Sequence, residues 1–106
     1  MSNFEKLKTF EPLSSSLTIK RSPIHGLGLF ATCEISQHVE LGISHVKDDR
    51  FSHGYIRTPL GGFFNHSKKP NCKAVYDGDF IKIITLSNIN SGDEITVDYT
   101  KHDWIK

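Results

Sequence analysis

The side chains best suited to chemistry stand in two runs of the C-terminal half. The first is Phe64-Asn65-His66-Ser67, followed by Pro70-Asn71. Asn and His bring both donors and acceptors, so a loop of this composition can hold a polar ligand; a structured polar turn accounts for the same residues equally well. The second is Gly92-Asp93-Glu94-Ile95-Thr96-Val97-Asp98-Tyr99, a turn entering a strand that ends on a phenol. A tyrosine at a strand end is ordinarily a packing residue, but its hydroxyl needs a partner when buried, and a reactive site exploits that need. Upstream, Gly26-Leu27-Gly28 lets backbone approach a ligand closely. A dinucleotide loop would require a third glycine and a following helix. The strand-like Leu29-Phe30-Ala31 follows instead, which excludes that fold, and a plain turn explains the glycine pair on its own. His25, Cys33, His66 and Cys72 have no recognised metal-ligand spacing, so no metal is expected. Cys72 or Ser67 beside His66 lacks a third, orienting group for nucleophilic catalysis.

The elements that must position these residues are mostly strands. Leu17-Thr18-Ile19-Lys20 alternates as a half-buried strand does. After the Ser22-Pro23 turn, Gly28 to Ala31 reads as a second strand and Val39 to Ile43 as a third. Val75-Tyr76 and Phe80 to Leu86 flank Asp77-Gly78, a hairpin signal. A last strand is expected from Glu94 to Tyr99. The polar stretch from His45 to Pro59 is weakly periodic, with a short helix expected around Asp48 to Phe51. Phe63-Phe64 would anchor the Asn65 loop in the core. Ile35 with Glu40-Leu41 echoes Ile89 with Glu94-Ile95 at equal spacing, but so few positions agree that the echo reads as chance. Residues 1–16 form a lead-in, and one compact domain is expected over 17–106.

Composition narrows the function classes. The chain has 106 residues, enough for one domain, with thirteen Lys and Arg against twelve Asp and Glu and a formal charge of +1. That balance argues against a dominant electrostatic grip on nucleic acid. Two cysteines make no disulfide framework, and both are expected as reduced thiols. There is no apolar signal-peptide core and no run long enough to span a membrane, so an intracellular, by default cytoplasmic, location is expected. Asn65-His66-Ser67 matches a glycosylation sequon, which is read as accidental.

In combination and in this order, the runs resemble the SET-domain protein-lysine methyltransferases of the minimal viral and bacterial type, over roughly Leu17 to Trp104. The resemblance implies a fold of short twisted β-sheets in which the Asn65 and Tyr99 segments cross in a pseudoknot. It implies S-adenosyl-L-methionine as cofactor and a lysine-bearing protein or peptide as substrate, reached from opposite faces through a narrow channel. Gly26, Leu27 and Gly28 would line the methionine part of the cofactor with backbone. Asn65 and His66 would hydrogen-bond it, Trp104 would cover the adenine or close the channel, and Tyr99 would sit beside the transferred methyl. Such a transfer is an in-line displacement that depends on alignment and on a neutral amine. Deprotonating a free lysine at pH 7 costs roughly 4–5 kcal/mol, a cost that an apolar channel and a nearby cation reduce. The chain departs from the family pattern in four places. Cysteine-rich flanks are missing, and the insert before Asn65 is short. Lys68 replaces a frequent cysteine, and Val97 stands where many members carry an aromatic. A reduced substrate wall favours a homodimer, and action on histones would place the protein in the nucleus. The rival is a SET-like module that binds cofactor or peptide without turnover.

Overall fold

The computed structural model describes residues 13–50 and 54–101. Within them the chain forms eight strands, one short helix and one 3-10 turn. The strands are β1 (Leu17–Arg21), β2 (Leu27–Ala31), β3 (Glu40–Lys47), β4 (Tyr55–Arg57), β5 (Asn65–His66), β6 (Cys72–Asp77), β7 (Phe80–Thr85) and β8 (Thr96–Val97). Helix α1 spans Pro59–Phe63, and the 3-10 turn Tyr99–Lys101. The strands make three sheets: antiparallel β1-β2, a four-stranded sheet ordered β4-β3-β7-β6, and the parallel pair β5-β8. The mostly β expectation holds.

Alternation drives the central strands. In β7, Ile81, Ile83 and Thr85 are fully buried while Lys82 and Ile84 are less so, the period-2 pattern of a sheet with one face in the core. A single apolar cluster joins the sheets: Leu29 and Ala31 from β2, Leu41 and Ile83 from the four-stranded sheet, Val97 from β8, and Leu60 and Phe64 in and just after α1. The β6-β7 hairpin forms where expected, but Asp77 pairs with Phe80, so its two-residue loop is Gly78-Asp79.

Three local expectations give way. The third strand runs on to Lys47, because its far half pairs with both β4 and β7. The short helix lies at Pro59–Phe63, whereas Asp48 to Arg50 form a turn and Phe51 lies outside the described residues. Thr58 caps α1, its hydroxyl accepting from the Gly61 N–H at 3.3 Å, and Pro59 occupies the first turn. The glycines at 61 and 62 hide this helix from propensity. The last strand shrinks to Thr96–Val97. The echo between Ile35 and Ile89 has a spatial counterpart: the two residues form an antiparallel bridge, each N–H donating to the other's carbonyl at 2.8 and 2.7 Å.

Candidate active site

The site is built where two distant stretches meet. Along one edge of the C-terminal strand, the Asn65 and Ser67 N–H groups donate to the Ile95 and Val97 carbonyls at 3.4 and 3.2 Å, while the Ile95 N–H donates to the Leu29 carbonyl at 2.7 Å. Along the other edge, the Asn71 side chain takes the place of a strand. Its Nδ2 donates to the Glu94 carbonyl at 2.7 Å, and its Oδ1 accepts from the Thr96 N–H at 2.9 Å. The loop from Asn65 to Asn71 therefore embraces strand β8 from both sides. Pro70-Asn71 reads in sequence as a turn, but Asn71 pairs like backbone.

Beneath this crossing lies a polar cluster. Asn65 is 8% exposed. Its Nδ2 faces four acceptors: Glu94 Oε2 at 2.7 Å, Ser22 Oγ and the His25 carbonyl at 3.2 Å, and the Leu27 carbonyl at 3.3 Å. An amide has only two N–H bonds, so the short bond to Glu94 takes one and the others share the second. Among the described residues none donates to Asn65 Oδ1. Ser22 is the hub: its hydroxyl donates to the Glu94 carboxylate (2.8 and 2.7 Å to its two oxygens), and its oxygen accepts from the Ile24 N–H at 2.9 Å. The glycine loop is thus tied to Asn65 and Glu94 through carbonyls and one hydroxyl. Gly28 is buried directly against Glu94. A Cβ there would fall 2.9 Å from Ser22 Cβ, 3.0 Å from Glu94 Cδ, and closer still to Glu94 Oε2, so only glycine fits.

Tyr99 is fixed from both ends. Its hydroxyl donates to the Phe64 carbonyl at 2.6 Å, and its N–H donates to His66 Nδ1 at 2.9 Å. Its ring meets Phe64 edge-on, with centroids 6.0 Å apart, and tilts against His66 at 5.2 Å. Because His66 Nδ1 accepts that N–H, it carries no proton there, and its 3.8 Å approach to Asp98 Oδ1 is no ion pair. Burial pushes the Tyr99 phenol above its ordinary range; Arg57 opposes the shift and the Glu94 charge adds to it. The phenol is therefore neutral at physiological pH. With its proton on Phe64, its oxygen lone pairs remain as acceptors.

An open cleft of about 420 Å³ runs beside the glycine loop, lined by Arg21, Ser22, Gly26 and Leu27. That volume lies within the roughly 300–1,000 Å³ of small-molecule pockets. A larger cavity, about 730 Å³, is lined by residues such as Leu41, Ile43 and Leu60 and shares none with this cleft. Among the described residues no three His, Cys, Asp or Glu side chains gather as a metal-holding group. Cys72 is buried and its thiol is pushed up to about 12, so it offers no thiolate for attack.

A family model for the SET domain matches residues 42–100, more than half of the chain. The chain belongs to the SET-domain family. It is 38% identical over 50 residues to a SET and MYND domain-containing protein of Dictyostelium discoideum, covering 47% of this chain and 13% of that relative. It is 27% identical over 100 residues to the histone-lysine N-methyltransferase, H3 lysine-37 specific, of Schizosaccharomyces pombe, covering 91% of this chain and 66% of the relative. The chain thus spans less than two thirds of either relative's length. Among solved structures it superposes on a Plasmodium falciparum protein assigned as a histone methyltransferase, with TM-score 0.68, 23% identity, and coverage of 89% of this chain and all of that one. It also superposes on the methyltransferase domain of human PR domain-containing protein 2, with TM-score 0.66, 17% identity, and coverage of 80% and 77%. At these identities the likeness is one of fold.

Within this SET domain, Gly26 and Leu27 line the cleft, and Gly28 sits behind them against Glu94. Asn65 lies under the same loop, and His66 and Tyr99 stand together one strand away. Trp104 lies outside the described residues. Sequence reasoning passed over Ser22, which it read only as a turn, and Glu94, quoted only as part of a strand. A serine two residues before a backbone N–H it can cap, ahead of a glycine pair, was the available signal for the first. Glu94 carries no local signal, since its partners are 72 and 29 residues away. As for the sequon at Asn65, its amide is buried and hydrogen-bonded, which leaves no room for a glycan.

Proposed function

We propose that this SET domain transfers a methyl group from S-adenosyl-L-methionine to the side-chain amine of a lysine in a protein or peptide substrate. The observation that carries the reading is the fixed phenol of Tyr99. Its proton is committed to the Phe64 carbonyl, one residue before the Asn65 that holds the glycine loop of the cleft.

The residues present fit such a cofactor. Gly26 has φ +49 with no atom within 4 Å of a notional Cβ, so a ligand can lie against the backbone. Leu27 is 52% exposed on the cleft wall, available to an apolar moiety. Asn65 Oδ1 is a buried acceptor with no donor among the described residues, a position for a ligand N–H. When bound, the cofactor supplies a methyl on a cationic sulfur: the S–CH₃ bond breaks with its pair left on sulfur, and the amine lone pair forms the N–CH₃ bond. The chain's own work is positional. Tyr99 accepts a hydrogen bond from the incoming amine and orients its lone pair, while its ring face favours cationic methylammonium. The proton leaves the amine for solvent before attack, made easier by the cationic sulfur nearby. No side chain is assigned as general base.

The finer expectations travel with this reading: an intracellular protein, cytoplasmic or, if histones are its substrates, nuclear; a homodimer; and no direct contact with nucleic acid. The test is radiolabelled methyl transfer to histones and a lysate panel, with Tyr99→Phe alongside. A fall on the order of 10²-fold is expected in the variant. Full activity in Tyr99→Phe would remove the phenol from the mechanism. Cofactor binding with no transfer to any substrate would favour the non-catalytic module instead.

A further inference from the structure

The Glu94 carboxylate has no use in the scheme above beyond stapling the loop. It is half-buried, and it is packed on Gly28 between the cleft loop and the Asn65 strand. Ser22 and Asn65 satisfy its lone pairs with neutral donors at 2.7–2.8 Å. Among the described residues no Lys, Arg or His nitrogen pairs with it; the carboxylates that pair with Lys or Arg are Asp48, Glu40 and Asp77. Two neutral donors ease desolvation but leave a full negative charge in place. An amide there would remove that charge while its oxygen, in the place of Oε2, still accepted from Asn65 Nδ2 and from the Ser22 hydroxyl. A net anion held this way, beside an open cleft, is a feature that hydrogen bonding alone does not require.

The charge also has direction. Ser22 belongs to the cleft wall and donates straight to Glu94. The same charge is felt at the Tyr99 phenol. Glu94 therefore lies in electrostatic reach of both the cleft and the point where a methyl would pass. Arg21, also in the cleft lining, offers a cation for a ligand carboxylate, and Glu94 lies behind that lining through Ser22.

We propose that Glu94 is a specificity-determining residue that favours a cationic sulfonium ligand over its neutral thioether product through fixed negative charge. This rests on the methyl-transfer reading. Methyl loss removes the positive charge from sulfur, and with it the attraction to Glu94, so the same carboxylate that helps to load the cofactor lets the spent one go. Because the donors hold Glu94 in position before any ligand arrives, little reorganisation is needed.

The probes are S-adenosyl-L-methionine and S-adenosylhomocysteine, titrated calorimetrically into the full chain at fixed ionic strength. Glu94→Gln is expected to lose on the order of tenfold in affinity for the sulfonium, and less than about threefold for the thioether. Asp79→Asn, a charge change of equal size at the hairpin loop, is expected to leave both affinities in place. If Glu94→Gln weakens the two ligands equally, the charge does not discriminate and the inference falls while the methyl-transfer reading stands. If the wild-type chain binds neither ligand, both fall. Should the variant fail to fold by circular dichroism, the wild-type salt dependence decides. Sulfonium affinity falling with added salt while thioether affinity holds supports the inference, and parallel curves overturn it.

Discussion

Replacing Gly28 by alanine tests whether the glycine pair serves close packing as well as ligand approach. In the middle of a strand, glycine to alanine ordinarily gains roughly 0.5–1 kcal/mol. At Gly28 the new methyl would enter the space of the Glu94 carboxylate, with Ser22 Cβ at 2.9 Å and Glu94 Cδ at 3.0 Å. No described atom gives way without consequence, because that carboxylate is pinned by Ser22 and Asn65. Overpacking costs roughly 1–3 kcal/mol, and displacing the carboxylate forfeits charge-assisted bonds worth roughly 1.5–3 kcal/mol each. Glu94 is half-buried, so water returns part of that loss, and the net expectation is about 2–4 kcal/mol destabilisation. For a domain of this size that corresponds to a fall in Tm of roughly 10–25 °C. The assay is urea and thermal unfolding followed by circular dichroism, run as a double-mutant cycle with Glu94→Ala. With the carboxylate gone only the Ser22 Cβ contact at 2.9 Å remains, so the Gly28→Ala penalty should shrink by at least about 1 kcal/mol. An equal penalty in both backgrounds would refute the packing argument and place the cost in the backbone.

Neighbouring glycines in α1 should respond with opposite sign. A Cβ at Gly61 runs into the Ser44 carbonyl and lies 3.1 Å from His45 Cε1, whereas one at Gly62 meets nothing within 4 Å; Gly61→Ala should lose roughly 1–3 kcal/mol and Gly62→Ala gain roughly 0.5–1 kcal/mol, both read by urea unfolding. Burial, with Arg57 adding to it, lowers the His45 pKa to about 4 from 6.5. The unfolded chain therefore binds this proton first, and stability should fall as pH drops from about 6.5 to about 4, by at most about 3 kcal/mol, then level off; a His45→Asn variant whose stability kept the same slope would exclude His45 as its source. Cys33 is exposed and Cys72 buried, so a thiol reagent should modify Cys33 in the native protein and reach Cys72 only in denaturant. Native labelling at Cys72 would show that the core around Ile83 opens readily.

Much of the site was readable because the motif residues do their work in short runs. Asn65, His66 and Tyr99 could be singled out from type and spacing, and the hairpin around Gly78 from turn chemistry. The α1 helix was not readable: its two glycines argue against helix locally, and what permits them is the close approach of Ser44 to Gly61. Nor was the exchange by which Asn71 stands in for a strand, since a side chain that pairs like backbone leaves no periodic signal.

By itself, the amino-acid order determined that this would be a small, mostly β domain and named the residues that meet at its site, because alternation, turns and short motifs are local properties of a chain. Only the tertiary structure decided what those residues do to one another. It set Glu94 under Gly28, spent the Asn65 amide on the loop carbonyls, and aimed the Tyr99 hydroxyl at Phe64. Each of those contacts spans 35 or more residues, and a contact across such a distance is fixed by how the sheets close around the core.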